Sequence, residues 1–570
     1  MVADLGSLVE EDVDVPARDG TALSTNIYRP DSGERFPAIL MRTPYGKPSG
    51  SGSVPAGYER YVRSGYVVAV QDTRGRHKSG GEYVPFYKGE TGDAEDGYDS
   101  VEWLASQPYC NGRVGTMGAS YCAWMQWMLA RLRPPHLMAM CAYSIPVELT
   151  DLDYPGAFRA GRRVKWLVST MSPDIRRRRG LPGPKDMQEA RRVWEEVEAG
   201  KWLFFMPWSK LPNHLPAGLA EYVGKWLGEP ASRPWRFSEA HGEIEVPNLD
   251  FSGWFDHCCG TMDHLSGMQD NARTEVAREQ TKLVIGPWNH VMPGQRKIGG
   301  FDFGPEASLD ITGAIIRWFD YWLKGLENGT PEEPPVRYFV MGSGRWRSSD
   351  SWPPVVDEEV EFYIDSEGDA ANAVGSGTLK LDLPGGEPCD CYNYDPGDPV
   401  PTLWTPALFT MPQDRRELEY RSDILYYRTP PLNEDLEVVG HPRAVLYASS
   451  SAKDTDFFAR LVDEDPGGPA MEVCYGMVRA RHRISLERMD LLEPGEITEF
   501  MIRLGPTACN FREGHRIRLE VTSSDFPNFD RNHNTGGNDL FDSHLVVAEQ
   551  KVFHTENERS RLILGIHRQG

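Results

Sequence analysis

The segment 118–123, Gly118-Ala119-Ser120-Tyr121-Cys122-Ala123, places a serine among small residues. The run 112–117 before it is typical of a short strand, and the run 124–130 after it favours a helix. A serine at a tight strand-to-helix turn has the geometry of a nucleophile elbow, in which bulky flanking side chains would clash with the strand or the helix. The segment therefore predicts a nucleophilic Ser120, although Cys122 stands where the usual G-x-S-x-G pattern has its last glycine.

The chain of 570 residues is too long for a single hydrophobic core, so we expect several domains. Its formal net charge of −23 argues against a nucleic-acid partner, which would require a basic surface. No apolar run approaches the length of a membrane span, and no signal peptide is visible at the start of the sequence. Nine thinly spread cysteines indicate free thiols, and together these features predict a cytoplasmic protein with no membrane partner. The oligomeric state is left open, with a homo-oligomer as one alternative.

The pattern of apolar residues divides the chain into four parts. Residues 1–145 alternate strand and helix signals, as expected for the first part of an α/β core. Residues 146–246 have helical periodicity and few strand signals, which predicts a helical cap inserted into that core. The α/β pattern resumes over residues 247–345. Residues 346–570 consist of short alternating strands separated by Pro- and Gly-rich turns, which predicts a jelly-roll β-sandwich.

A nucleophilic serine needs a base, and the base needs a carboxylate that fixes its tautomer. Asp256 directly follows one predicted strand of the resumed α/β segment, and His290 directly follows the next one. The chain order Ser, Asp, His is the order found in α/β-hydrolases, where each residue lies at the carboxyl edge of the sheet. We therefore predict a catalytic triad of Ser120, Asp256 and His290.

Seven segments give the chain a resemblance to the cocaine esterase family of serine hydrolases, which is related to X-prolyl dipeptidyl aminopeptidases and α-amino-acid ester hydrolases. The resemblance extends over nearly the full length. The segments that carry it are 42–46 (RTPYG), 71–76 (QDTRGR), 118–121 (GASY), 253–256 (GWFD), 286–290 (GPWNH), 394–402 (YDPGDPVPT) and 514–519 (GHRIRL).

The resemblance implies an α/β-hydrolase core with a helical cap and a C-terminal jelly-roll domain. By position it assigns the nucleophile to Ser120, the acid to Asp256 and the base to His290. It also implies an oxyanion hole made by the backbone N–H of Tyr121 and the hydroxyl of Tyr45, and a phenol can donate to an oxyanion as an amide does. Cys122 occupies a position that varies in the family and is expected to be a small buried side chain.

The residues after the predicted acid bear on the substrate. α-Amino-acid ester hydrolases carry carboxylates there, which hold a substrate ammonium, whereas this chain has His257-Cys258-Cys259. A free α-amine is therefore disfavoured, although Asp263 is near in sequence. We expect an ester, lactone or amide with a bulky or aromatic uncharged acyl part. Trp166, His257 and Cys258 are the predicted pocket residues, and further candidates from the helical segment are Trp202, Phe204, Phe205, Met206 and Trp208.

No metal and no cofactor are predicted. His257, Cys258, Cys259 and His264 crowd around the acid, but the paired cysteine spacing of a structural zinc site is missing. The glycine-rich segment 75–81 lacks the spacing of a phosphate-binding loop and is expected to be structural. Three alternatives to an esterase remain: an acyltransferase or cyclase that uses the same triad, an X-prolyl dipeptidyl peptidase or amino-acid ester hydrolase, and a non-catalytic scaffold or carbohydrate-binding protein.

Overall fold

The computed structural model describes residues 6–50, 52–86, 92–145, 156–196, 205–228, 237–258, 260–291, 293–385, 388–403, 412–486 and 488–568. The α-helices are α1 (Ala56–Arg63), α2 (Asp93–Ala105), α3 (Tyr121–Ala130), α4 (Ala160–Lys165), α5 (Ser172–Arg179), α6 (Met187–Glu196), α7 (Ala217–Gly228), α8 (Thr261–Asn271), α9 (Glu275–Gln280) and α10 (Ile311–Lys324). A π-helical turn, Trp166–Met171, joins α4 to α5.

The strands of the first half are β1 (Ser7–Pro16), β2 (Ala22–Pro30), β3 (Phe36–Thr43), β4 (Val67–Asp72), β5 (Cys110–Ala119), β6 (Leu137–Tyr143), β7 (Leu249–Phe255), β8 (Lys282–Asn289), β9 (Lys297–Ile298), β10 (Phe301–Asp302), β11 (Val336–Val340) and β12 (Arg345–Ser349). Those of the second half are β13 (Glu358–Asp365), β14 (Thr378–Lys380), β15 (Cys389–Tyr394), β16 (Ile424–Arg428), β17 (Leu436–Gly440), β18 (Arg443–Ser450), β19 (Asp456–Glu464), β20 (Ala470–Arg479), β21 (Thr498–Arg503), β22 (Thr507–Phe511), β23 (Arg516–Thr522), β24 (Ala548–Phe553) and β25 (Arg561–His567).

The core of the first half consists of two sheets that meet along β6 and β7. Their strand orders are β1-β2-β4-β3-β5-β6 and β12-β11-β8-β7. The Asn248 side chain joins them, because it accepts from the backbone of Ala142 at 2.7 Å and donates to the same residue at 2.9 Å. β3 pairs in parallel with both β4 and β5, so the chain reverses its winding direction between β3 and β5. Ligands of open α/β sheets bind at such a switch point, outside the carboxyl ends of the strands.

Helices pack on both faces of these sheets. Their apolar residues recur at helical spacing, so each helix has an apolar stripe that can face a sheet. In α10, the buried residues Ile315, Trp318, Phe319 and Leu323 form one stripe against the sheet. The helix begins at Asp310, whose carboxylate accepts from the backbone of Gly313. It ends at Gly325, which adopts the left-handed conformation that favours glycine. On the other face, every residue of α3 is buried.

A helical segment lies between β6 and β7, and its role as a cap stays a prediction. α4 to α7 and the short 3₁₀ turns Trp208–His214 and Phe237–Glu243 are its described elements. The basic run 176–179 closes α5, and its guanidinium groups bond within the molecule, for example Arg178 to the carbonyl of Ser79 at 2.7 Å. Trp208 packs edge-on against Phe158, while Trp202 and Phe204 lie outside the described residues.

The second half is rich in β-structure and confirms the predicted C-terminal β domain. Thirteen strands, β13 to β25, share one hydrogen-bonded network in which β14 and β16 form a parallel pair. The jelly-roll topology and the exact domain boundaries stay predictions. β12 of the first half extends to Ser349, beyond the predicted boundary at residue 345. Within the described part of the chain, no helix is both long enough and apolar enough to cross a membrane.

Candidate active site

Ser120 is the residue between β5 and α3 and has a strained backbone, with φ 58° and ψ −122°. A left-handed φ is costly for a residue with a side chain and is characteristic of a nucleophile elbow. Two features maintain the turn, one hydrogen bond and one position where a side chain would not fit. The backbone N–H of Ser120 donates to the carbonyl of Tyr143 at 3.1 Å. A Cβ at Gly118 would lie 2.7 Å from that of Cys122, so only glycine fits there.

Asp256 and His290 lie at the ends of the neighbouring parallel strands β7 and β8. Nδ1 of His290 is 2.9 Å from Oδ1 of Asp256. The Asp256 side chain is buried, and the His290 side chain is largely so. This hydrogen bond holds the imidazole ring in one orientation and leaves Nε2 as the nitrogen that can take a proton. A carboxylate orients a catalytic base in this way.

The carboxylate of Asp256 is stabilised in its ionised form. Burial alone would raise its pKa, but the nearby His290, the hydrogen bond from the backbone N–H of Cys258 and the neighbouring Ser144 side chain lower the pKa below its usual value. Ser144 comes directly after β6 and has a left-handed φ of 51°. Sequence reasoning missed Ser144, because only the pairing of β6 with β7 brings it to the acid.

Tyr121 supplies the first backbone amide of α3, which has no carbonyl partner within the helix. Its side chain is anchored: the hydroxyl donates to Asp93 at 2.9 Å and accepts from the backbone of Phe86 at 2.8 Å. The sequence carries no local signal for this anchoring, since Asp93 and Phe86 are distant along the chain. This anchoring fixes the first turn of α3 and with it the position of the Tyr121 backbone amide.

Tyr45 follows β3, the strand next to β5, and its hydroxyl accepts from Nε1 of Trp166 at 3.4 Å. Although 39% of its surface is accessible, loss of bulk hydration raises the pKa of Tyr45 to about 12. At neutral pH this phenol keeps the proton that an oxyanion donor needs.

The wall beside Tyr45 is aromatic and cationic. The Arg163 guanidinium lies 5.3 Å from the ring centroid of Trp166 and 5.8 Å from that of Phe86. Burial lowers the pKa of Arg162 to about 10, although the nearby Cys258, Asp256 and Tyr45 favour its charged form. Arg162 and Arg163 were not singled out from the sequence. The only available signal was that two adjacent basic residues come shortly before Trp166, a predicted pocket residue.

His257 and Cys258 lie against His290, and their role as pocket residues stays a prediction. The His257 and His290 rings have centroids 4.1 Å apart, and Sγ of Cys258 is 3.7 Å from Nδ1 of His290. Burial and the neighbouring Arg162 and His290 hold the pKa of His257 well below its usual value, so its imidazole is neutral. Asp263, by contrast, forms an exposed 3.4 Å ion pair with Arg503.

Comparison with known proteins identifies the family. Residues 19–292 match the model of the X-Pro dipeptidyl-peptidase (S15) family, and residues 328–563 match that of the X-Pro dipeptidyl-peptidase C-terminal non-catalytic domain. The cocaine esterase of Rhodococcus sp. (strain MB1 Bresler) is 34% identical over 545 residues, which cover 93% of both chains.

Solved structures show the same fold. An aminopeptidase from a marine sediment Thaumarchaeota archaeon has a TM-score of 0.77 at 23% identity, and the match covers 100% of this chain and 97% of that one. An α-amino acid ester hydrolase also has a TM-score of 0.77, at 24% identity, with 100% of this chain and 98% of the other covered. The chain therefore belongs to the cocaine esterase family of serine hydrolases, with an α/β-hydrolase core and a C-terminal β-rich domain.

Proposed function

We propose that this protein hydrolyses a small-molecule carboxylic ester through an acyl intermediate on Ser120. The observation that carries the proposal is the 2.9 Å hydrogen bond between His290 and Asp256, at the same carboxyl edge of the sheet as the strained Ser120. The relatives named as cocaine esterase and putative serine esterase support the same activity.

In the proposed mechanism, Nε2 of His290 takes the proton of the Ser120 hydroxyl as its oxygen attacks the ester carbonyl. The Tyr45 hydroxyl and the Tyr121 N–H donate to the oxyanion of the tetrahedral intermediate. His290 then protonates the departing alcohol, and the acyl-Ser120 remains. Water, which gives a proton to His290, attacks the acyl group, and collapse of the second intermediate returns the proton to Ser120. Asp256 stabilises the transient imidazolium throughout.

The pocket favours an acyl group that is bulky or aromatic and lacks an ammonium. Trp166 and Phe86 offer ring surfaces beside Tyr45. Arg162 and Arg163 lie next to that surface. Asp263, the carboxylate closest in sequence to the acid loop, is engaged with Arg503.

The test is Ser120→Ala assayed on a panel of p-nitrophenyl esters, with Ser106→Ala as the matched control. Ser106 is an exposed serine at the end of α2, where its hydroxyl bonds to the carbonyl of Trp103. We expect Ser120→Ala to lose about 10⁶-fold in kcat and Ser106→Ala to retain wild-type turnover. A fluorophosphonate probe should label Ser120, as mapped by peptide mass spectrometry. Substantial activity in Ser120→Ala, or labelling elsewhere, would refute the assignment.

The match to the X-Pro dipeptidyl-peptidase model favours one second candidate, release of an Xaa-Pro dipeptide. That reaction requires a site for a free N-terminal ammonium, and Asp263, the carboxylate closest in sequence to the acid loop, is engaged with Arg503. Parallel kcat/KM measurements on phenyl esters and on Xaa-Pro-p-nitroanilides separate the candidates. Product analysis with added alcohols and amines separates hydrolysis from acyl transfer.

A further inference from the structure

Four potential metal ligands, among them the proposed base His290, lie close together. Asp256, His257, Cys258 and His290 each offer one donor atom, and the four atoms all lie within 4.8 Å of one another. Three of them are consecutive residues of the loop after β7, and the fourth comes from the end of β8. The spacing of cysteines in the sequence gives no sign of this cluster, because His290 is brought in only by the pairing of β7 with β8.

Individual separations lie near those around a tetrahedral zinc ion, and any pair as far apart as the 4.8 Å limit must close by about 1 Å on binding. With zinc–nitrogen and zinc–oxygen bonds of about 2.0–2.1 Å and zinc–sulfur bonds of about 2.3 Å, neighbouring ligand atoms lie about 3.3–3.6 Å apart. Sγ of Cys258 is 3.7 Å from Nδ1 of His290, and Nδ1 of His257 is 3.7 Å from Oδ1 of Asp256. The hydrogen-bonded pair of His290 and Asp256, at 2.9 Å, must widen by about half an ångström.

The chemistry of the donors selects the ion. One thiolate, two imidazoles and one carboxylate form a borderline-soft set that suits Zn²⁺ and its spectroscopic substitutes Co²⁺ and Cd²⁺, and not the hard cations Mg²⁺ and Ca²⁺. The carboxylate brings one negative charge. The thiol of Cys258 brings a second when it releases its proton to solvent on binding, so the ion is neutralised by its own ligands.

We propose that Asp256, His257, Cys258 and His290 form a Zn²⁺-binding site that switches the esterase off. The ion occupies Nδ1 of His290, the atom through which Asp256 orients the ring. Coordination breaks that hydrogen bond and requires the Nδ1 proton to move to Nε2, and Nε2 then has no lone pair with which to take the proton of Ser120. Metal binding itself does not depend on the proposed hydrolase activity; the inhibition does.

Binding is measured first, with Co²⁺ as the probe, because a cysteine thiolate bound to Co²⁺ gives a charge-transfer band in the near ultraviolet. Cys389 and Cys391 lie two residues apart on β15 and form a competing thiol pair, so all proteins carry Cys389→Ser and Cys391→Ser. We expect one equivalent of Co²⁺ to give the band in this background and also with Ser120→Ala. Cys258→Ala should abolish it, and His257→Gln should weaken affinity about tenfold or more.

Inhibition is measured second, by titrating Zn²⁺ into the p-nitrophenyl ester assay and restoring activity with EDTA. The inhibition constant for Zn²⁺ in His257→Gln, relative to the basal rate of that variant, should rise by the same factor as the dissociation constant for Co²⁺. His257→Gln also carries the test if Cys258→Ala does not fold. Absence of the band, or binding unaffected by both variants, overturns the site. Stoichiometric binding without inhibition overturns the switch, and neither result bears on Ser120 as nucleophile.

Discussion

Tyr45 is the proposed second donor of the oxyanion hole, a role that its sequence context alone does not suggest. Its hydroxyl accepts from Trp166, and burial raises its pKa to about 12, so the phenol keeps its proton well above neutral pH. Such a donor contributes when charge develops on the substrate oxygen, and less when the neutral ester binds.

Tyr45→Phe should therefore lower kcat by about 10²–10³-fold and change KM much less. Steady-state kinetics on p-nitrophenyl esters measures both constants. Trp166→Phe is the matched control, because it removes the Nε1–H donor to Tyr45 and leaves the phenol in place. An equal loss of kcat in the two variants would contradict the assignment of Tyr45 as the donor.

Asp93 is a second residue whose protonation state depends on its surroundings. Burial raises its pKa from 3.8 to about 6, against the opposing influence of Arg42 and the hydrogen bond from Tyr121. The folded protein therefore binds this proton more tightly than the unfolded chain. The stabilisation it brings is complete below about pH 4 and is lost as the pH rises through 6.

Asp93→Asn keeps an acceptor for Tyr121 and does not ionise. Relative to wild type, its free energy of unfolding should increase by about 2–3 kcal/mol between pH 4 and pH 8. Urea denaturation at pH 4, 6 and 8 measures this difference. Parallel pH profiles for the two proteins would show that Asp93 keeps an ordinary pKa in the folded state.

At the scale of elements, the approach of β7 to β8 determines whether acid and base meet. Gly253 pairs with Gly286, and a Cβ built on Gly253 would be 2.0 Å from the Trp288 carbonyl oxygen. The register shifts directly after Gly253, which aligns Phe255 with Asn289 and so brings the following Asp256 and His290 side by side.

Gly253→Ala should separate the two strands, lower the free energy of unfolding by about 1–3 kcal/mol and reduce kcat through loss of the bond between Asp256 and His290. Thermal denaturation and ester hydrolysis measure the two effects. Gly57→Ala in α1 is the control, because a Cβ there meets nothing within 4 Å. Its stability should equal or slightly exceed that of wild type. Similar behaviour of the two variants would contradict the steric argument.

At the scale of the whole molecule, the β-rich domain holds the start of the helical segment. The backbone N–H of Phe158 donates to Asp530 at 2.6 Å, and that of Gly161 donates to the carbonyl of Pro527 at 2.8 Å. Asp530 in turn lies within 3.2 Å of the buried Arg479. These contacts fix α4, which leads directly to Trp166 and the wall of the proposed pocket.

Asp530→Ala should cost about 1–3 kcal/mol of stability, since it leaves the Phe158 amide without its acceptor and Arg479 with fewer anionic partners. It should also speed hydrogen exchange over residues 156–166, as measured by mass spectrometry. Asp530→Asn retains an acceptor for the Phe158 amide, so hydrogen exchange over residues 156–166 should be slower than in Asp530→Ala. Faster exchange confined to the region around residue 530 would show that the two parts are not coupled.

The elements near the proposed site were largely predictable because their signals are local. The strands β3, β4, β5, β7 and β8 are apolar runs, and α3 and α10 show helical apolar patterns. The N-terminal strands β1 and β2 were not predicted, since their apolar and polar residues mix in a pattern without a strong period. The π-helical turn at Trp166–Met171 also has no established local signature.

The sequence by itself determined the serine elbow, the order of Ser120, Asp256 and His290, and the family, because small residues at a turn and polar residues after apolar runs are local patterns. Tertiary structure alone decided which distant groups serve them: Ser144 on Asp256, Asp93 on Tyr121 and Cys258 beside His290. Such contacts arise when parallel strands align their carboxyl ends, and strand order and register are properties of the assembled sheet.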